Sequence, residues 1–118
     1  MAWRRSTKSK YGNKPVELMF KGKMTRFDSM REGARALDLE LMEKKGVISD
    51  LQRQTKFELR PAFYDEGKRV QAWVYKADFT YYENGEYIVE DVKGVKTQMY
   101  KEKRNQMLYR LGIRIKET

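Results

Sequence analysis

Asn84-Gly85 stands between two runs of alternating side chains, residues 70–82 and 86–92. An Asn-Gly pair in that setting favours a two-residue type I′ turn, because both residues tolerate positive φ. Such a turn sets the register on either side by simple counting. Glu83 pairs with Glu86, Tyr82 with Tyr87, Thr80 with Val89, and Asp78 with Asp91. Two carboxylates thus face each other inside a sheet, with Cβ atoms about 4.5–5.5 Å apart, where like charges are destabilising. A divalent cation between them would turn that repulsion into shared coordination. Lys93 lies two residues past Asp91 and projects from the same face, while Glu90 and Val92 point the other way.

Two acids and a lysine converging on one point suit phosphodiester hydrolysis. The carboxylates would hold a metal that binds the scissile phosphate and lowers the pKa of a water. The lysine would orient that water and offset charge in the transition state. The competing reading is an exposed sheet edge on which both aspartates simply face water. Composition narrows the choice. The chain has no cysteine and no histidine, which excludes disulfides, thiolate catalysis and the commonest general base and transition-metal ligand. A metal held here would be a hard ion such as Mg²⁺ or Mn²⁺. The net charge of +9 points to a polyanionic partner, with nucleic acid ahead of acidic membrane.

With 118 residues there is room for one ordinary domain. Residues 1–14 read as a flexible basic arm and 15–118 as the single folded domain. The N-terminus, basic and polar, does not read as a secretory signal. No run approaches the roughly 20 apolar residues of a membrane span. A hairpin is expected over 16–20 and 24–27, turning at Lys21-Gly22. Ser29-Met30-Arg31-Glu32 fits a capping box, and Met30, Ala34, Leu37 and Leu41 recur at helical spacing. Lys44, Lys45 and Gly46 then stop the helix. A strand follows over 47–59, ended by Pro61, and Gly67 marks a turn. After the central hairpin, residues 97–111 read as a second helix with Tyr100, Met107, Leu108 and Leu111 on one side. Gly112 caps it, and Ile113 and Ile115 begin a last short strand. The result is an α/β domain with a mixed, largely antiparallel central sheet flanked by two helices.

Ala77-Asp78-Phe79 followed by Val89-Glu90-Asp91-Val92-Lys93-Gly94 resembles the bipartite signature of the PD-(D/E)XK nuclease superfamily. That resemblance implies a restriction-endonuclease-like α-β-β-β-α-β core, the element order read above, behind an N-terminal hairpin and the basic arm. More closely, the chain resembles small phage and prophage proteins of a domain of unknown function, similar to Holliday-junction resolvases and transposon-end nucleases. The likeness runs from Lys10-Tyr11-Gly12-Asn13-Lys14 through Phe27-Asp28-Ser29 to the last helix. Two departures stand out. Ala77 replaces the proline of the superfamily's name, and the second acid is Asp91 where glutamate is more frequent. Strand alternation and the spacing to Lys93 favour Asp91 over Glu90.

The family also places a glutamate in its first helix near the metal, and Glu32 is the match. As the last residue of the capping box Glu32 has a structural role too, and it lies nearly opposite the Met30/Ala34/Leu37/Leu41 stripe. Gln54 sits where related nucleases often carry a polar residue near the site; an ordinary strand residue is the alternative. Lys96, Lys101, Lys103 and Arg104 surround the start of the second helix, where a DNA backbone could lie, although such residues are commonly solvated surface. Arg4, Arg5, Lys8 and Lys10 of the arm would grip phosphates and order on binding. Trp73, Tyr75, Phe79 and Tyr81, on the strand face opposite Asp78, read as core.

The expected function is Mg²⁺- or Mn²⁺-dependent endonucleolytic cleavage of DNA, with Asp78 and Asp91 as metal ligands, Lys93 positioning the water and, as the resemblance implies, Glu32 as a further ligand or a contact to a metal-bound water. The resemblance further implies branched DNA as substrate, Holliday-junction resolution in phage recombination or processing, a homodimer making symmetric cuts, and action in the host cytoplasm with no membrane contact. Two rivals belong to other classes. One is a non-catalytic basic nucleic-acid-binding module with a nuclease-like fold, and the other is a phage protein that binds a host protein.

Overall fold

A computed structural model of the chain describes residues 14–118. The arm residues Arg4, Arg5, Lys8 and Lys10 lie outside them. The described residues fall into two compact units, the first ending at Ile48 and the second spanning Ser49–Thr118.

In the first unit, β1 (Val16–Phe20) and β2 (Lys23–Phe27) form the expected antiparallel hairpin, in a register that runs from Val16↔Phe27 to Phe20↔Lys23. Lys21 and Gly22 both have positive φ, as a type I′ turn requires. Helix α1 (Met30–Lys44) starts at an N-cap Ser29, whose Oγ accepts from the Glu32 amide at 3.2 Å. The ends of the helix match the sequence reading, but its packing face does not. Met30, Leu37 and Leu41 are 56%, 39% and 51% exposed, and Ala34 is also exposed. The buried face is instead Glu32, Gly33, Ala36 and Leu39. Gly33 explains the reversal: a Cβ there would stand 2.7 Å from Leu18 Cδ1, so the helix lies against the hairpin through its smallest residues. Phe20 and Phe27 meet edge to face beneath it, and Glu40 and Glu43 hold the Lys21 turn.

The second unit is built on β3 (Ser49–Arg60), followed by a small hairpin of β4 (Phe63–Asp65) and β5 (Lys68–Val70). Then come β6 (Trp73–Glu83), β7 (Glu86–Asp91), helix α2 (Gln98–Leu111) and β8 (Lys116–Glu117). The four-stranded sheet runs β3-β6-β7-β8, with β8 parallel to β7 and the other neighbours antiparallel. The expected strand over 70–82 is therefore two strands, because β5 belongs to the small hairpin. Thr97 caps α2 through the Tyr100 amide, and Gly112 ends it at φ 69°. Leu59, Tyr75, Ala77, Val89, Tyr100, Met107 and Ile115 form the core of this unit. Leu108 and Leu111, expected on the packed side of α2, are 40% and 46% exposed. Ile115 packs into the core and Ile113 against it, and strand pairing begins only at Lys116. No helix among the described residues is long and apolar enough to cross a membrane.

Candidate active site

The central hairpin turns at Asn84 and Gly85, both with positive φ, and the ladder runs from Glu83↔Glu86 to Phe79↔Glu90 in the counted register. The next rung would pair Asp78 with Asp91. Ladder bonding ends there and a reciprocal clasp replaces it. The Asp78 amide donates to Asp91 Oδ1, and the Val92 amide donates to Asp78 Oδ2, each at 2.9 Å. Two facing carboxylates are thereby held by charge-assisted bonds to backbone amides.

Asp91 is only 1% exposed. Its Oδ2 also accepts from Tyr75 Oη at 2.6 Å and lies 3.4 Å from Lys93 Nζ. Lys93 Nζ rests 4.3 Å from the centre of the Tyr100 ring, a cation–π contact that fixes an otherwise flexible side chain. Tyr100 Oη donates to Glu117 Oε2, which also accepts from Arg104, and Lys96 Nζ lies 3.3 Å from Oε1. Burial first, then the hydrogen bond to Asp91, pushes the Tyr75 hydroxyl well above its ordinary pKa; burial and Glu117 do the same for Tyr100. Both stay protonated as donors. The Tyr100 hydrogen bond first, with Arg104 and Lys96, lowers the Glu117 carboxyl to about 2.

The structure thus brings Asp78, Asp91 and Lys93 together, as the turn register predicts. Tyr75 departs from the expectation. Regular alternation would put it on the face opposite Asp91, yet its hydroxyl binds that carboxylate, and Ala77 shares a core cluster with Val89 although the rung partner of Val89 is Thr80. Alternation therefore slips along β6 near Asp78. Of the aromatic set, Tyr75, Phe79 and Tyr81 are buried as expected and Trp73 is partly so.

Gln54 falls on the rung of Asp78, between Arg53↔Phe79 and Thr55↔Ala77, and holds φ at 56° in mid-strand. That conformation strains a non-glycine residue. Lys96 and Arg104 are occupied by Glu117, and Lys101 is exposed. Lys103 lines a cleft of about 510 Å³ together with Lys56, Lys76, Lys93, Tyr75 and Tyr100. Lys56 and Lys76 escaped the sequence reading because only the β3–β6 register places them together. Glu32 belongs to the first unit, where it is 6% exposed on the packed face of α1.

Among the described residues, no three acidic side chains gather into a metal-holding group. Mg²⁺ is commonly held by one or two carboxylates, with water and a substrate phosphate completing its shell. Asp78 and Asp91, as an oxygen-only pair beside a lysine, fit that pattern.

No curated protein and no solved structure matches the chain. Residues 8–116, which include the whole hairpin and its clasp, match the family described as "Protein of unknown function (DUF1064)", and the chain belongs to that family.

Proposed function

We propose that this protein is a metal-dependent DNA endonuclease with a PD-(D/E)XK-type site in a restriction-endonuclease-like core. The observation that carries the reading is the meeting of Asp78, Asp91 and Lys93 at the open end of the hairpin, beside a cleft lined by lysines. Mg²⁺ or Mn²⁺ bound by the two aspartates would polarise the scissile phosphate and lower the pKa of a water. Asp91 is oriented for that task by Tyr75 and by the Asp78 amide. Lys93, aimed by Tyr100, orients the attacking water and offsets developing negative charge. Asp78, Asp91 and Lys93, all in the second unit, make up the proposed site. Branched DNA is the proposed substrate and a homodimer the proposed form, acting in phage recombination within the host cytoplasm; fold-level analogy alone supports these points.

The test is cleavage of a labelled four-way junction beside a linear duplex of the same sequence, with Mg²⁺, Mn²⁺ or EDTA. Metal-dependent cutting that prefers the junction and disappears in Asp91→Asn is the expected result. Equal cutting of both substrates would keep the site and remove the resolvase assignment. The clasp itself favours one second reading, since it satisfies both carboxylates without a metal. In that reading the aspartates only lock the hairpin of a basic nucleic-acid-binding module. Salt-sensitive DNA binding with no cutting under any metal would establish it.

A further inference from the structure

Lys56 and Lys76 are direct partners across β3 and β6. Like charges facing each other on neighbouring strands destabilise a sheet. Among the described residues neither lysine makes an ion pair, and Glu58, two residues along β3, pairs with neither. Both open onto the same cleft as Lys93, and Lys103 reaches it from α2. Lys93 is paired with Asp91, but the ammonium groups of Lys56, Lys76 and Lys103 have no carboxylate partner among the described residues and repel one another unless an anion sits among them. Asp78 lies two residues along β6 from Lys76, so only the Thr55↔Ala77 rung separates this cationic rung from the aspartate clasp.

We infer that the cleft holds the sugar–phosphate backbone of a nucleic-acid strand, with Lys56 and Lys76 as a two-lysine clamp on the phosphate neighbouring the one that faces Asp91 and Lys93. The ligand class rests on the nuclease reading above; the site rests on the lysine rung. Tyr75 and Tyr100 also line the cleft, and its volume is within the range of about 300–1,000 Å³ common for bound small molecules. The repulsion at the rung is the structural disadvantage that strand binding offsets, so stability and binding should respond in opposite directions when the two charges are removed.

The experiment measures binding of the labelled junction and duplex over a series of NaCl concentrations, in EDTA so that no cutting intervenes. Lys56→Gln/Lys76→Gln is compared with wild type and with a control of equal charge, Lys23→Gln/Lys45→Gln, in the other unit. Each phosphate contact contributes about 0.9 to the slope of log affinity against log salt. The clamp variant gives up one phosphate and should lose about 0.9 from that slope, with Tm unchanged or raised. Equal slopes in the two double variants would overturn the clamp, as would a wild type that binds no DNA. Inorganic phosphate titrated alone separates a free-anion site from a strand site. Saturable phosphate binding at the rung, with no loss of DNA slope in the clamp variant, would also overturn it. Binding with the predicted slopes but no cleavage under Mg²⁺ or Mn²⁺ would leave the clamp standing and remove only the nuclease reading.

Discussion

β7 ends on two adjacent carboxylates that point to opposite faces, and both are buried, Glu90 fully and Asp91 with 1% exposed. Each receives a hydroxyl from a tyrosine of β6: Tyr81 Oη lies 2.5 Å from Glu90 Oε1, and Tyr75 Oη lies 2.6 Å from Asp91 Oδ2. Beyond the tyrosines they differ. The other oxygen of Glu90 accepts the Thr118 hydroxyl at 3.0 Å. Asp91 takes the Asp78 amide and sits 3.4 Å from Lys93 Nζ, and both Tyr75 and Lys93 line the lysine-ringed cleft. Burial therefore does not mark a carboxylate as reactive. What distinguishes Asp91 is a second acid on the neighbouring strand and a cationic opening beside it.

Swapping each carboxylate for its amide gives the largest contrast. Asp91→Asn removes a proposed ligand from a site where the metal supplies several kcal/mol, so cleavage should fall about a thousandfold or more. Glu90→Gln keeps an acceptor for Tyr81 and should cut within a few fold of wild type, with a stability loss of about 1 kcal/mol. Single-turnover cleavage of the junction measures the first, and urea unfolding the second. Comparable activity losses from the two would erase the distinction.

The tyrosines sharpen the same contrast at smaller scale. Tyr75→Phe and Tyr81→Phe each leave a buried carboxylate short of one donor, and each should destabilise the protein by about 1–3 kcal/mol. Only Tyr75→Phe should weaken Mn²⁺ binding and cleavage, by about 10–100-fold, as loss of a group supporting a metal ligand typically does. If Tyr81→Phe slowed cleavage as much at matched stability, the effect would be general softening of the sheet.

Much of this was legible because it is local. Asn84-Gly85 sets a turn, the turn sets a register, and the register brings Asp78, Asp91 and Lys93 together without tertiary information. Helix ends were legible for the same reason, since Ser29, Thr97 and Gly112 act within one turn of themselves. Packing faces were not. The stripe of Met30, Leu37 and Leu41 is the stronger apolar signal, but Gly33 and Ala36 permit closer approach, and closeness won. Tyr75 was read as core and no more, because strict alternation hides a slip in the strand near Asp78. The Lys56–Lys76 rung depends on pairing residues 20 apart in the chain across an irregular ladder, which no local signal specifies.

The smallest expected effect is an acid sensitivity on the Asp91 side of the sheet. Tyr100 carries Lys93 over its ring and Glu117 on its hydroxyl, so Glu117 helps aim the lysine. Its carboxyl is lowered from an ordinary 4.5 to about 2 by Tyr100, Arg104 and Lys96. A lowered folded-state pKa means that folding favours the charged form. The resulting stability is fully present above about pH 4.5 and is lost as pH falls towards about 2. Since the side chain is 22% exposed, screening reduces the contribution to about 1 kcal/mol. Urea unfolding in EDTA at the two ends of that window should show wild type losing about 1 kcal/mol more than Glu117→Gln, and the gap should shrink in high salt. Parallel losses in both proteins would mean that Glu117 does not brace this side through its charge, and the aim of Lys93 would then rest on the Tyr100 ring alone.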